Sequence, residues 1–353
     1  MAYTTINKSS EHFNTKLYNG TGANQSITGV GFQPDFTWIK IRTTGFNHRL
    51  QDSVRGATKS LYTNLTNAEQ TNTDGVLSFD TDGFSLGDDA SNGSFNRSGD
   101  TFVSWNWLGG GTASSNTDGS ITSTVSANTT SGFSIVTWNN SSNSGTIGHG
   151  LGAKPSVIIT KQRAGTGGWV SWFQGLGTSN EQRNYIYLDS TNASGVSSID
   201  YWGTSINSNT FGVPSGGYDN NNGSMLAYCF AEKKGFSKFG SYVGNNNADG
   251  NFVYLGFKPA FVIAKNSTQG GYSWELFDNK RNTTDGVGNV IQKRLFPNTS
   301  AAEGGTSSTD YIDFLSNGFK IRKAGDTNAS GDTYIYMAFA EEPLVGDNPA
   351  TAR

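Results

Sequence analysis

GFQPDFTWIK at residues 31–40, GLGAKPSVIITK at residues 150–161 and GFKPAFVIAK at residues 256–265 are three versions of one pattern, and this pattern decides the fold. In each version a proline precedes an apolar run, and a lysine lies six residues beyond the proline. An aromatic residue also precedes each proline by 16 or 17 residues. Agreement at three places indicates that the chain contains three diverged copies of one unit.

The spacing of the copies indicates domains rather than a solenoid. Pro34, Pro155 and Pro259 are 121 and 104 residues apart, whereas a solenoid repeat spans about 20 to 50 residues and cannot fold alone. The longer first interval contains a segment rich in Gly, Ser and Thr, which predicts a linker or extended loop. The predicted organisation is a first repeat domain with a short N-terminal segment at 1–109, the linker or loop at 110–131, a second domain at 132–233, a third domain at 234–342 and a C-terminal tail at 343–353.

The residue pattern within each copy favours β-strands. The stretches that follow the prolines, such as FVIA at 261–264, are apolar at successive positions, which is typical of strands buried on both faces. Clusters of Gly, Asn, Asp and Ser, which tolerate turn geometry, separate the apolar runs, and helical periodicity is almost absent. The sequence therefore predicts an all-β protein made of three tandem, diverged, antiparallel β-sandwich-like domains.

Composition and charge argue against several classes of protein. Charged residues make up 15% of the 353 residues and the formal net charge is −3, so no basic face for nucleic acid is expected. The first residues lack the basic and apolar regions of a secretory signal, and no run approaches the roughly 18 apolar residues of a membrane span, so we expect no membrane insertion. The single cysteine, Cys229, cannot form a disulfide within the chain, and we expect it to be a buried apolar residue.

Histidines and phosphate loops give little support for catalysis. His12, His48 and His149 do not recur at matching positions in the copies, so neither a Ser/His/Asp triad nor a histidine metal site is expected. No Gly-rich loop carries the lysine and the Ser or Thr of a nucleotide site. We therefore predict that the protein is not an enzyme and holds neither a cofactor nor a metal ion.

Carboxylates are the remaining candidates, because a glycoside hydrolase needs two of them across a cleft. Asp52 and Asp278 lie 18 and 19 residues after the repeat proline, and the middle copy has Gln174 at the offset of 19. A position that changes from acid to amide favours a structural role. The segment DTDG at 80–83 resembles the start of a calcium loop, but no bidentate glutamate follows at the required distance, which favours hydrogen bonding within a turn.

Two sets of residues are candidates for binding. Lys40, Lys161 and Lys265 recur in the three copies, either as a surface stripe for anionic sugars or, as we favour, as the solvated ends of buried strands. Trp169 and Trp202 lie in Gly-rich and Ser-rich contexts that are typical of loops. Since aromatic faces stack on sugar rings, we predict that these two tryptophans contact a glycan or receptor.

Three motifs carry a resemblance to a known family. Residues 27–40 (ITGVGFQPDFTWIK), 52–57 (DSVRGA) and 98–103 (SGDTFV) resemble repeat domains in virion and tail-associated proteins of marine tailed bacteriophages of the cyanophage and pelagiphage type. The resemblance is clearest in the first copy, since neither later copy contains the Asp-Ser-x-Arg-Gly motif. It implies a fold and a general role, and it assigns no catalytic or receptor-contact residue.

The function implied by this resemblance is that of a virion structural protein. We expect a tail-associated fibre, knob or adaptor-bound subunit that contacts the host surface or its glycans, assembled in the bacterial cytoplasm. The expected partners are other virion proteins and further copies of the chain, with a homotrimer favoured because phage appendages are commonly trimeric and soluble oligomers usually close by rotation. Two alternatives stay open: a capsid decoration or head-fibre protein, and a glycan-cleaving tailspike.

Overall fold

The computed structural model describes residues 4–140, 143–216, 219–281, 290–304, 311–343 and 349. Antiparallel strands dominate, and the only helices in this part of the chain are two single-turn 3-10 helices at Ser9–Glu11 and Gln174–Leu176. The predicted all-β, sandwich-like class is confirmed. No helix within the described residues is long and apolar enough to cross a membrane. The predicted tail at 343–353 lies outside the described residues, apart from residues 343 and 349.

Nine strands form the first repeat: β1 (Phe13–Asn19), β2 (Gln25–Thr28), β3 (Phe36–Ile41), β4 (Arg49–Asp52), β5 (Lys59–Ser60), β6 (Gln70–Thr71), β7 (Val76–Asp80), β8 (Gly83–Leu86) and β9 (Thr101–Trp107). The main sheet of this repeat has the order β1-β9-β3-β4. A second sheet has the order β2-β8-β7, and β5 pairs with β6. We call this unit repeat 1.

Ten strands follow in repeat 2: β10 (Ser114–Asn116), β11 (Ser123–Asn128), β12 (Phe133–Asn140), β13 (Gly145–Gly148), β14 (Val157–Gln162), β15 (Val170–Phe173), β16 (Asn184–Tyr187), β17 (Gly195–Val196), β18 (Thr210–Val213) and β19 (Gly223–Phe230). The main sheet has the order β10-β11-β12-β19-β14-β15-β16-β17, and β13 pairs with β18. The segment predicted as a linker or loop at 110–131 therefore contributes strands β10 and β11 to this sheet, where β11 covers the edge of β12.

Repeat 3 contains the last eight strands: β20 (Ser237–Val243), β21 (Phe252–Tyr254), β22 (Phe257–Asn266), β23 (Glu275–Asp278), β24 (Val290–Ile291), β25 (Ile312–Leu315), β26 (Gly318–Ile321) and β27 (Thr333–Pro343). Its main sheet has the order β20-β27-β22-β23, and its second sheet has the order β21-β26-β25-β24.

The three main sheets share one topology and one register. In each sheet the closing strand (β9, β19 or β27) lies between an earlier strand of the repeat (β1, β12 or β20) and the strand at the repeat proline (β3, β14 or β22). The register pairs the residues of these two strands as Phe36 with Trp107, Val157 with Phe230 and Phe261 with Phe339. These pairs define equivalent positions in the three repeats.

The repeat prolines occupy two kinds of position. Pro34 and Pro155 lie two residues before β3 and β14, as expected for a residue that cannot donate to a ladder. Pro259 lies inside β22, at a point where the register with β27 shifts. The irregularity accommodates the missing N–H group, since bulges are one of the few places where a strand tolerates proline.

Two faces of each main sheet are buried against different partners. Along β3, Ile39 and Ile41 belong to an apolar cluster shared with the second sheet of repeat 1. Phe36 and Trp38, which point the other way because side chains alternate along a strand, belong to a cluster shared with repeats 2 and 3. Burial on both faces explains why all six residues of β3 are inaccessible.

The main sheets meet in one central aromatic core. Rings from different repeats approach closely, with centroids 4.3 Å apart for Phe36 and Tyr228, 5.6 Å for Trp107 and Phe261, and 5.8 Å for Phe230 and Phe339. A cavity of about 20 Å³ remains among apolar and aromatic side chains of all three repeats. The repeats therefore pack around one shared centre as well as around their own cores.

Candidate functional site

Contacts between repeats recur in cyclic order around this core. Just before β15, Trp169 of repeat 2 donates its Nε1 hydrogen to the carbonyl of Tyr62 in repeat 1, at 2.6 Å. Just before β23, Trp274 of repeat 3 donates in the same way to the carbonyl of Tyr187 in repeat 2, at 3.0 Å. When the same contact joins each repeat to the next, the repeats form a closed ring. We call this arrangement of repeats 1, 2 and 3 the ring.

His48 occupies the matching position of repeat 1, just before β4, and lies at the backbone of Phe296 in repeat 3. Its Nδ1 accepts a hydrogen bond from Trp38 Nε1 at 2.9 Å. Burial lowers the pKa of His48 well below its usual value, and the neighbouring charge of Lys40 lowers it further. A neutral imidazole thus occupies in repeat 1 the position of the indole in the other two repeats, beside the backbone of repeat 3.

The expectation that Trp169 and Trp202 lie exposed in loops is wrong. Both side chains are 0% exposed. Trp202 donates its Nε1 hydrogen to the carbonyl of Asn184 at 2.8 Å, within repeat 2. Neither ring presents a face on which a sugar can stack. A signal for Trp169 was present in the sequence, because His48, Trp169 and Trp274 follow their repeat prolines by 14, 14 and 15 residues.

Asp52 lies at the interface between repeats 1 and 2. Its carboxylate accepts hydrogen bonds from Arg55 Nε at 2.5 Å and from the hydroxyl of Tyr228 in repeat 2 at 2.8 Å. Arg55 also contacts Glu69 at 3.0 Å, and Glu69 binds Arg163 of repeat 2 at 2.9 Å. The Asp52 and Arg55 side chains are both 0% exposed.

Asp278 repeats this arrangement at the interface between repeats 3 and 1. It accepts hydrogen bonds from Arg281 Nε at 2.5 Å and from Trp105 Nε1 in repeat 1 at 3.0 Å. Arg281 also contacts Glu303 at 3.2 Å, and Glu303 binds Arg42 of repeat 1 at 2.8 Å. Trp105 and Tyr228 occupy equivalent positions in the register. At each of the two interfaces, an aromatic side chain with an N–H or O–H group therefore donates to the aspartate of a buried Asp–Arg pair.

The third interface, between repeats 2 and 3, is apolar at the same positions. The register places Phe173, and not Gln174, at the position of Asp52 and Asp278, so the comparison with Gln174 was one residue off. Leu176 then stands where the other repeats have arginine. Phe173 lines the central cavity together with Met337, which is the register equivalent of Trp105 and Tyr228. Gln174 instead donates a hydrogen bond to the carbonyl of Phe239 at 2.6 Å.

The buried residue at the position of Asp52 and the side chain that faces it from the next repeat therefore change together at the three interfaces. Where the facing side chain offers an O–H or N–H group, the buried position carries a carboxylate paired with arginine. Where the facing side chain is methionine, the position is phenylalanine. This pattern is expected because polar groups in a buried interface need a hydrogen-bond partner on the other side. The recurring Asp-x-x-Arg of repeats 1 and 3 was the sequence signal for it.

The recurring lysines are buried, so both predictions made for them are wrong. Lys40, Lys161 and Lys265 are at most 1% exposed, because they lie on the strand face that points toward the neighbouring repeats. Lys161 and Lys265 donate to the carbonyls of Thr66 and Thr191 in the adjacent repeat, at 3.2 and 3.3 Å. Burial lowers the pKa of Lys40 to about 7 and the pKa values of Lys161 and Lys265 to about 8.

The remaining predicted groups have structural roles. Asp82 accepts the backbone N–H groups of Gly29 and Gly31 at 2.9 and 2.6 Å, so it ties its turn to a second turn about 50 residues earlier in the chain and does not bond within its own turn as we expected for 80–83. Cys229 is fully buried, as predicted. Within the described ranges, no group of three His, Cys, Asp or Glu side chains is arranged to hold a metal ion.

A groove on repeat 2 combines aromatic rings with a carboxylate at the surface. We call it the tyrosine groove; its volume is about 420 Å³, and it is lined by Tyr185, Tyr187, Val196, Ser197, Ser198, Tyr201 and Asp219. Tyr185 and Tyr187 lie on one face of β16, two residues apart. The Tyr187 hydroxyl donates to Asp219 Oδ2 at 3.4 Å. We did not predict this groove from the sequence, where its signal is the Tyr-x-Tyr spacing of Tyr185 and Tyr187 in a strand.

One family model matches the chain over residues 8–343, and its description is Domain of unknown function (DUF7483). No curated protein and no solved structure matches the chain. The matched range contains all three main sheets, so the complete ring is the unit that this model describes.

Proposed function

We propose that this chain, which belongs to the DUF7483 family, is a non-enzymatic structural protein of a bacteriophage virion that is associated with the tail and binds the host surface. One observation carries the proposal. The two carboxylates at equivalent positions of the repeats, Asp52 and Asp278, are sealed in interfaces between repeats, where each is paired with an arginine. A rigid ring that offers its loops and grooves to the outside is suited to attachment.

The geometry favours binding over cleavage. A glycosidase holds two carboxylates on either side of a sugar, with access for water. Asp52 and Asp278 are fully buried, and each is occupied by an arginine and by an aromatic N–H or O–H donor. Neither can reach a polysaccharide without the ring opening. This supports an attachment role over the alternative of a glycan-cleaving tailspike.

Assembly and location form part of the same proposal. We propose that the chain is assembled in the bacterial cytoplasm, joins other virion proteins and forms a homotrimer on the particle. One buried cluster of aromatic and apolar side chains includes residues of all three repeats, which supports a durable particle component. Measurement of the mass in solution tests the trimer, and a monomer would instead indicate that three repeats replace three subunits.

Imaging of intact particles tests the proposed location. A tail-associated protein should produce ring-shaped density at the tail, in a few copies. Density distributed over the head, in a copy number that follows the capsid lattice, would instead establish the capsid decoration or head-fibre alternative.

Adhesion and cleavage assays test the proposed activity. The purified protein should adhere to host cells and should release no reducing ends from host polysaccharide. Absence of adhesion would overturn the attachment role, and sustained release of reducing ends would establish the tailspike alternative.

A further inference from the structure

We infer that the tyrosine groove of repeat 2 is a binding site for a neutral sugar, recognised by Tyr185, Tyr187, Tyr201 and Asp219. The inference rests on the proposed attachment function and names the surface that performs it. It replaces Trp169 and Trp202 with residues that line a groove at the surface.

The three tyrosine rings pack on one another along the groove and do not surround a cage; we call this cluster the platform. Tyr185 and Tyr201 are stacked with centroids 5.4 Å apart and planes at 22°, and Tyr185 meets Tyr187 edge-on at 5.5 Å and 83°. The rings contact one another and leave no gap between them for a cation. A quaternary ammonium group is held by rings that surround it, whereas the C–H face of a sugar packs on a flat aromatic surface. The volume of about 420 Å³ lies within the range of about 300–1,000 Å³ for ligand pockets.

The platform is fixed in place by the backbone beneath it. A Cβ atom on Gly168 would lie 2.6 Å from the ring of Tyr187, and one on Gly195 would lie 2.6 Å from the ring of Tyr185. The rings therefore rest on glycine backbone that leaves no room for a side chain. Trp202, which is fully buried, lies 6.0 Å from Tyr201 and supports it from within. A preorganised site loses little side-chain entropy on binding.

The polar side of the groove selects the charge of the ligand. Asp219 offers carboxylate oxygens beside the hydroxyls of Ser197 and Ser198. Burial, and then the Asp219 charge, raises the pKa of Tyr187 to about 12, so its hydroxyl remains a donor at neutral pH. The nearby Lys161 ammonium is buried and donates to the carbonyls of Thr66 and Gln162. A carboxylate accepts hydrogen bonds from sugar hydroxyls and repels carboxylates or phosphates, so the groove favours a neutral sugar.

Strands β16 and β17 extend the main sheet of repeat 2 beyond β15. Repeat 1 has the corresponding short hairpin β5–β6, which meets β4 at the bridge between Leu50 and Leu61, and the register places Ser60 at the position of Tyr185. Among the described residues, the tyrosine pair of the groove therefore occurs in repeat 2 and not in repeat 1. Because single stacking and hydrogen-bond contacts are weak, several copies on one particle would provide the avidity that adhesion needs.

Binding of the intact protein to immobilised sugars tests the inference. The probes are glycans that end in glucose, galactose or mannose, their sialylated and phosphorylated counterparts, and phosphocholine. We expect the protein to prefer a neutral glycan. Asp219→Asn, which preserves shape, and Tyr185→Ala should each weaken that binding at least about tenfold, in line with the loss of a charge-assisted hydrogen bond or a stacking partner.

Tyr254→Ala is the matched control, because Tyr254 is a 50% exposed aromatic residue on repeat 3. It should leave binding unchanged, and unfolding curves should show that all three variants fold. Three results would overturn the inference: a preference for acidic glycans or phosphocholine, unchanged binding by Asp219→Asn, or no binding to any probe while the protein still adheres to host cells. The last result leaves the attachment function intact. Binding to neutral glycans without adhesion to cells would instead overturn the attachment function and leave the groove assignment intact.

Discussion

Replacing Asp52 by asparagine tests whether buried charge holds repeats 1 and 2 together. The wild-type carboxylate accepts hydrogen bonds from the Arg55 backbone N–H at 2.9 Å, from Arg55 Nε at 2.5 Å and from Tyr228 at 2.8 Å. A carboxamide has one oxygen, so at least one of these donors loses its acceptor, and the Arg55 charge stays buried with only Glu69 beside it. Breaking a buried ion pair costs about 3–5 kcal/mol, and the remaining Glu69 contact places our expectation near about 3 kcal/mol.

The ring contains its own control for this experiment. The equivalent interface between repeats 2 and 3 is built from Phe173, Leu176 and Met337. The triple variant Asp52→Phe/Arg55→Leu/Tyr228→Met transfers that apolar set to the interface between repeats 1 and 2. Apolar replacement of a complete buried ion pair is often close to neutral, so we expect the triple variant to lie within about 2 kcal/mol of the wild type.

Urea denaturation monitored by tryptophan fluorescence measures both effects as changes in the free energy of unfolding. We expect the single substitution to lower the free energy of unfolding more than the triple substitution does. It is refuted if Asp52→Asn lowers the free energy of unfolding by less than about 1 kcal/mol, or if the triple variant is as unstable as the single variant.

Three further predictions follow from the buried groups. Folding lowers the pKa of Lys265 from its ordinary value to about 8, so the free energy of unfolding should rise between pH 8 and pH 10. Lys265→Met should reduce that rise by about 1–3 kcal/mol, and an unchanged rise in urea titrations would contradict this expectation. Trp169→Phe, which deprives the Tyr62 carbonyl of its donor, should lower the free energy of unfolding by about 1–3 kcal/mol, and a stability equal to wild type would show that this ring contact contributes nothing. Cys229, whose thiol pKa is raised by burial, should react with a thiol reagent only as urea unfolds the chain, and rapid labelling in native buffer would disprove its sealed position.

Local patterns in the sequence were sufficient to predict the strands and their repetition. The apolar run of β3 predicted a strand buried on both faces, and similar runs recur in β14 and β22. The spacing of the repeat prolines predicted three units, because each interval is long enough for a unit with a core of its own. Burial of Cys229 was also predictable, because its neighbours are apolar.

Ring closure was decided only by the tertiary structure. Lys40, Trp169 and Asp52 look like surface groups when each repeat is considered alone, because one face of its main sheet then has no partner. The neighbouring repeats cover that face and supply part of the hydrogen bonding: Trp169 donates to the carbonyl of Tyr62 and Asp52 accepts from Tyr228, whereas Lys40 donates to the carbonyl of Ile41 in its own strand. The sequence determined which strands form, because strands follow from the local apolar pattern. The packing of three sheets around one core determined which charged and aromatic side chains are buried, because contacts between residues far apart in the chain produce no periodic pattern from which they could be predicted.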